Sequence, residues 1–313
     1  MSEAAERETV SVVIGAYNAA AWIGQTLESV LVQTCPVLEV LVVDDGSTDD
    51  TPAIVKSYGA KVQYLAEEHR GRPHRNRGIL ASRGELVAFV DADDYWHPTK
   101  IEKQLSRLRS QGAEWVICDS EWLDVAGGRH TARVGAPVRE GDILEHLFLN
   151  NFIVASTPMV ARRVLDEIGH FDETPEAAPV EDWDLWLRIA ARYPVATVQE
   201  KLATLRLHDD SFLAATPLAR RLLSLEHVVA GAVAREPARL SGLRRRALFN
   251  VYYAAGITAF RQQRIEEARS YFLRAWRDRP THIETAAYVM LTFTAARTST
   301  ALVSFKRRFF RGR

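Results

Sequence analysis

Leu38-Glu-Val-Leu-Val-Val-Asp-Asp-Gly-Ser-Thr-Asp49 and Glu85-Leu-Val-Ala-Phe-Val-Asp-Ala-Asp-Asp94 share one plan: a short, valine-rich apolar run cut off by aspartates. Apolar runs of this length without polar alternation fit strands buried on both faces, the condition of a parallel sheet. Val10–Ile14 is another such run, and Lys61–Leu65 reads as a further strand. Ala19–Leu31 carries Trp22, Ile23, Leu27, Val30 and Leu31 at helical spacing, with Asn18 as the expected N-cap. Thr51–Tyr58 and Pro73–Ala81 make two more helices. This repeated alternation predicts an α/β fold, a mostly parallel sheet with helices on both faces. Thr99–Ser110 continues it as a helix and Glu114–Cys118 as a strand. From there to residue 215 the segments become short and rich in glycine and proline, and from Pro217 onward the pattern is almost wholly helical.

The composition suits a globular chain that buries a core: 313 residues, 47% hydrophobic and 26% charged. Lys+Arg and Asp+Glu both number 40, so net charge singles out no partner. Cys35 and Cys118 lack CxxC spacing and read as reduced thiols of a cytoplasmic protein. The polar, acidic residues 1–9 read as a flexible N-terminus rather than a signal peptide. No apolar stretch is long enough to span a bilayer, which places the expected chemistry on the cytosolic side.

The chemistry is expected at the two acidic clusters. In parallel α/β sheets ligands bind beyond the carboxyl ends of the strands, so Asp44 and Asp45 should share a crevice with Asp91, Asp93 and Asp94. Convergent carboxylates repel one another unless a cation or a donor-rich ligand joins them. All-oxygen ligands with no cysteine nearby favour Mg²⁺ or Mn²⁺ over zinc. Asp44, followed by a capping turn, reads as a cap rather than a ligand.

Val10-Ser-Val-Val-Ile-Gly-Ala-Tyr-Asn18, Val43-Asp-Asp-Gly-Ser-Thr-Asp49, Asn76-Arg-Gly78 and Val90-Asp-Ala-Asp-Asp94 resemble, in order and spacing, the signature blocks of the family 2 glycosyltransferases. That resemblance implies a GT-A fold and inverting transfer of a sugar from a nucleotide diphosphate, with uridine favoured. It implies that Tyr17 and Asp45 embrace the base, that Asp91 lies near the ribose, and that Asp93 holds Mn²⁺ or Mg²⁺ with Asp94 as a helper. A tyrosine ring can stack on a base and an aspartate can accept from a uracil N–H. Arg75 and Arg77 flank Asn76 near the expected diphosphate, where arginine suits phosphate.

Pro179-Val-Glu-Asp-Trp-Asp-Leu-Trp-Leu-Arg188 resembles the family's Glu-Asp block, which makes Asp182 the base that takes the acceptor proton. Glu181 belongs to the same block, and Trp183 is expected as an apolar wall for a sugar face. The competing reading has Glu181 and Asp182 cap the helix that follows. Arg206-Leu-His-Asp-Asp-Ser211 resembles a later block. In some members its histidine, here His208, joins the metal, and Arg206 is expected at phosphate.

The expected organisation is a catalytic domain over 10–216, made of a nucleotide-sugar half (10–118) and an acceptor half (119–216). A helical region follows at 217–296, where Tyr253, Ala254, Gly256, Phe260, Ala268, Phe272 and Ala275 resemble one tetratricopeptide-like hairpin; a simple helical hairpin packed on the catalytic domain is the preferred description, and either could mediate self-association. The last segment, 297–313, interleaves Lys306, Arg307, Arg308, Arg311 and Arg313 with Phe305, Phe309 and Phe310 and suits an anionic membrane surface. The near-neutral catalytic domain argues against nucleic acid. The implied destination is cell-surface polysaccharide or glycolipid, with a glycan or lipid-linked acceptor and a peripheral position at the inner face of the membrane. Two rivals stand beside this reading. A sugar-phosphate nucleotidylyltransferase would need a glycine-rich phosphate loop where Gly15-Ala-Tyr-Asn18 stands. A non-catalytic sugar-binding scaffold would have no need of Asp45, Asp91, Asp93 and Asp182 together.

Overall fold

The computed structural model describes residues 8–69, 75–132, 138–209 and 211–295. The chain divides into two compact units, the first comprising residues up to Leu147 with Asn151–Pro217, the second Phe148–Asn150 with the chain from Leu218. The basic segment 297–313 lies outside the described residues, as do residues 1–7 of the N-terminus.

In the first unit the chain runs β1 (Val10–Ala16), α1 (Ile23–Leu31), β2 (Glu39–Asp44), α2 (Thr51–Ser57), β3 (Gln63–Ala66), α3 (Arg75–Ala81) and β4 (Leu86–Asp91). It continues through β5 (Tyr95–Trp96), α4 (Lys100–Gln111), β6 (Trp115–Asp124), β7 (Arg129–Ala132), α5 (Leu144–Leu149) and β8 (Met159–Ala161). Then come α6 (Arg162–Ile168), α7 (Glu181–Ala190), β9 (Ala196–Leu207) and α8 (Phe212–Ala215). One sheet takes all the strands in the order β3-β2-β1-β4-β8-β6-β9-β5, with β7 added to β6. The first four strands are parallel. Val12, Val13, Ile14, Leu41, Val42, Val87 and Ala88 on the inner strands are fully buried, as two-sided burial requires.

The loosely patterned stretch after Cys118 contributes more sheet than its sequence suggests. β8 runs antiparallel between β4 and β6, and β9 pairs parallel with β6 and antiparallel with β5. Mixed pairing of this kind breaks the β-α rhythm, so alternation alone does not reveal it. Register explains why the two acidic clusters meet. Gly15 on β1 stands beside Val43 on one side and Asp91 on the other, and Ala16 stands beside Asp44. Both clusters therefore end on one level, flanking β1.

Close packing fixes α3 against that level: a β-carbon added at Gly78 would lie 2.5 Å from Val13 Cγ1 and 3.0 Å from Val43 Cγ2. The expected cap at Asn18 is not formed. Asn18 takes a positive φ of 45° and its side chain accepts from Thr48 N (2.8 Å), tying the end of β1 to the turn after β2. Helix α1 accordingly starts later, at Ile23.

The second unit contains α9 (Leu218–Arg235), α10 (Pro237–Leu240), α11 (Arg244–Arg261), α12 (Ile265–Asp278) and α13 (Ile283–Ala295). α11 and α12 pack closely because Ala255, Gly256 and Ala259 face Phe272; a β-carbon at Gly256 would lie 2.5 Å from that ring. α9 packs on α11 and α13 on α12, so this core extends beyond a single hairpin. No helix of the described residues is long and apolar enough to cross a membrane.

Lys100 is fully buried, with its ammonium donating to Gln104 Oε1 (2.8 Å) and stacked 3.9 Å above the Trp96 ring. Burial pushes it down from 10.5 to about 8, although the neighbouring Cys118 opposes the shift. A lysine with a depressed folded value binds fewer protons folded than unfolded, so its penalty is complete below pH 8 and lifts between pH 8 and 10.5. Replacing Lys100 with Met should raise stability at pH 7 by about 1–3 kcal/mol in a denaturant melt, with the gain shrinking towards pH 10.5.

Candidate active site

The ends of β1 and β2 form the first part of the site. Tyr17 is half exposed (46%) and its ring stacks on His69, with centroids 4.2 Å apart and planes at 15°. Asp45 is buried, and His69 Nδ1 lies 3.0 Å from its Oδ2. Asp44 points elsewhere. It accepts from Ser47 N (3.0 Å), Ser47 Oγ (2.5 Å) and Tyr64 Oη (2.6 Å), which makes it the anchor of the Gly46–Ser47 turn. Burial, with the Asp44 charge, pushes the Tyr64 hydroxyl up to about 12.

The second part is the carboxylate cluster at the end of β4. Asp91, Asp93 and Asp94 each offer an oxygen within 4.8 Å of the others. Asp93 Oδ2 faces His208 Nε2 at 3.0 Å. Asp94 turns inward, accepting from Ser156 Oγ and from Arg206 N (3.2 Å). Burial and then the Asp91 charge push Asp93 up, partly offset by His208. Burial and the charges of Asp93 and Asp91 push Asp94 up further. A cluster that resists holding its own charges has the chemistry of a divalent-cation site, and its donors are oxygens with one imidazole at the edge. These residues fit Mg²⁺ or Mn²⁺.

Arg75, at the start of α3, joins this cluster to the first turn of α7. It pairs with Asp91 Oδ1 through Nη2 and with Glu181 Oε1 through Nη1 (3.1 Å). Burial opposes its charge, but Asp91 and Glu181 outweigh burial and hold the guanidinium above its ordinary value. Asp182 follows Glu181 in the same turn. Burial, reinforced by the Glu181 and Asp91 charges, pushes it up to about 7 against the opposing pull of Arg75. The residue as a whole is only partly buried, and Oδ1 accepts from Trp183 N (2.7 Å). Neither acid caps α7: the N-cap position is Val180, and no side chain caps there. A carboxylate poised near neutrality beside a candidate cation site can accept a proton from a hydroxyl.

The profile of glycosyl transferase family 2 matches residues 11–167, half of the chain. The chain belongs to this family. An uncharacterized glycosyltransferase of Rickettsia typhi is 32% identical over 208 residues, 64% of this chain and 64% of its own length. The chain thus spans just under two thirds of that relative. The Bacillus subtilis protein described as a putative teichuronic acid biosynthesis glycosyltransferase, TuaG, is 30% identical over 64% of this chain and 80% of its own. Among solved structures, Staphylococcus aureus TarS 1–349 in complex with UDP-GlcNAc superimposes with a TM-score of 0.66 at 18% identity, covering 94% of this chain and 92% of that one. The mannosyltransferase PcManGT of Pyrobaculum calidifontis, in complex with GDP-Man and Mn²⁺, gives 0.58 at 20% identity over 95% and 89%. These likenesses give the chain the GT-A fold.

Family 2 membership leaves the nucleotidylyltransferase reading without support, and the structure shows what several of the expected site residues touch. Arg75 is held by two carboxylates. Arg206 is likewise engaged, by the Asp93 carbonyl and Gln25 Oε1, and its guanidinium lies over the rings of Tyr95 (4.8 Å) and Trp22 (5.3 Å). Arg77 pairs with Glu67. Trp183 is 3% exposed and donates its indole N–H to Leu147 O (2.9 Å). Ser156 and His69 escaped the sequence reading. Ser156 Oγ accepts from Asp91 N (3.0 Å) while donating to Asp94, yet it sits in an unpatterned loop that only the β4–β8 pairing brings to the site.

Arg75→Met should lower stability by about 3–5 kcal/mol in denaturant, because it leaves Glu181 buried without a counter-charge. Adding Glu181→Gln should restore more than 1 kcal/mol of that loss, whereas strictly additive effects would show that the pair does not act as one unit.

Proposed function

We propose that this protein is an inverting glycosyltransferase that moves a sugar from a nucleoside diphosphate sugar to an acceptor hydroxyl, with Asp182 as the base. The observation that carries this reading is the position and environment of Asp182: partly accessible, raised to about 7, and joined through Glu181 and Arg75 to the carboxylate cluster. Asp182 takes the proton of the acceptor hydroxyl as its oxygen bonds to the anomeric carbon. The bond from that carbon to the nucleoside diphosphate breaks in the same displacement, with inversion, and the electron pair leaves on the diphosphate oxygen. Asp91 and Asp93, with His208 at the edge, would hold Mn²⁺ or Mg²⁺, which when bound supplies positive charge to the leaving diphosphate.

Tyr17 and Asp45 recognise the base in this reading. A carboxylate accepts, so Asp45 suits a base that offers a ring N–H, as uracil, thymine and guanine do. TarS was solved with UDP-GlcNAc and PcManGT with GDP-Man, donors that both satisfy this rule. The teichuronic acid description of TuaG supports a cell-surface glycan or lipid-linked acceptor. An acceptor at a membrane would give the basic, aromatic segment 297–313 its role, by docking on anionic lipid. The helical unit is then free to carry self-association.

Thermal melts against UDP-, GDP-, dTDP- and CDP-sugars, each with Mn²⁺ and with chelator, test the donor side. One of the first three should raise the midpoint only with metal, by the equivalent of about 2.7 kcal/mol at a hundredfold excess over its Kd. No shift with any donor would favour a non-catalytic scaffold. Asp182→Asn should lower transfer by about 10²–10⁴-fold without loss of that donor shift. The same variant should be more stable than wild type at pH 8, by about 1–3 kcal/mol, because a carboxyl raised in the folded state costs stability progressively as pH rises from 3.8 to about 7 and carries its full cost above that.

A further inference from the structure

His69 follows β3 and holds both groups assigned above to the nucleobase. Its ring lies face to face with Tyr17, 4.2 Å between centroids. Its Nδ1 lies 2.9 Å from Asp45 O and 3.0 Å from Asp45 Oδ2. Both partners are acceptors, so Nδ1 carries the proton and the imidazole presents a planar face and an N–H edge. Those are the two features by which uracil or guanine would be recognised there. The seat is built for this approach. Gly46 has a φ of 73°, and a β-carbon on it would lie 2.9 Å from His69 N and 3.0 Å from His69 Cβ. Glu67 N donates to Asp44 O (2.8 Å), which extends the β2–β3 ladder and aims the following residues at Asp45. The His69 side chain is still 45% exposed, so it can leave without opening the core.

We propose that His69 is an internal stand-in for the nucleobase, which must be displaced when the donor binds and which returns to help expel the nucleoside diphosphate product. The proposal rests on the reading of Tyr17 and Asp45 as the base slot. A site occupied by its own side chain binds its ligand more weakly by the fraction of time it is open, so removing the occupant tightens binding.

Calorimetric titration of UDP and GDP, with Mn²⁺ present, into wild type, His69→Ala, Tyr17→Ala and Asp45→Asn decides it. His69→Ala should bind the preferred diphosphate about five- to twentyfold more tightly, and Tyr17→Ala and Asp45→Asn more weakly than His69→Ala. Unchanged or weaker binding by His69→Ala, with losses in the other two variants, would overturn the stand-in and leave the base slot in place. Unchanged binding in Tyr17→Ala and Asp45→Asn would overturn the slot itself. Proton NMR of the imidazole gives a second readout, assigned by its absence in His69→Ala. The upfield shift imposed by the Tyr17 ring should vanish at saturating nucleotide, and its persistence would contradict displacement.

Discussion

The structure of the site depends on one buried cation. Arg75 reaches from α3 to Asp91 at the end of β4 and to Glu181 at the start of α7, in surroundings where an unpaired charge is costly. The bridge has an electrostatic consequence as well as a mechanical one. Glu181 is buried, Asp91 is partly so, and each pushes the neighbouring Asp182 upward, while Arg75 restrains that push. The base at one end of the proposed displacement and the carboxylates at the other are therefore parts of a single charge network.

The sheet is what allows so many acids to meet. Parallel pairing of β1 with both β2 and β4 puts Asp44 and Asp91 on one level. Antiparallel β8 then delivers Ser156 beneath Asp91 and Asp94, and β9, paired with β5, delivers Arg206 and His208. Each acid near the cluster has a distinct neighbourhood. Asp44 is consumed by the Gly46–Ser47 turn and Asp94 by Ser156 and the Arg206 backbone, whereas Asp91 pairs with Arg75 and Asp93 faces His208. This division of labour among similar residues follows from their hydrogen bonds.

Much of this was legible in the sequence because valine-rich strands ending in aspartate carry both the fold signal and the chemical one. β1 to β4, the helices between them and the acidic clusters all follow from local pattern. The mixed half of the sheet did not, since β8 and β9 owe their places to long-range antiparallel pairing that no local periodicity records. The contacts of Arg75, Arg206 and Trp183 were not legible for a related reason. Residue type suggests what a side chain can bind, and only packing shows what has already been satisfied: two carboxylates for Arg75, a backbone carbonyl and Gln25 for Arg206, the Leu147 carbonyl for Trp183. His69 carried no sequence signal because its partners, Tyr17 and Asp45, lie on different strand ends.

The most direct measurement of the central claim is a carbon-13 NMR titration of the aspartate side-chain carboxyls, comparing wild type with Asp182→Asn and Arg75→Met. The network predicts that the carboxyl signal lost in Asp182→Asn titrates at about 7 in wild type and is shifted higher in Arg75→Met, where the restraining charge is gone. If Asp182 titrates in the ordinary aspartate range, at about 3.5–4, and Arg75→Met does not move it, then the base and the carboxylate cluster are not electrostatically joined.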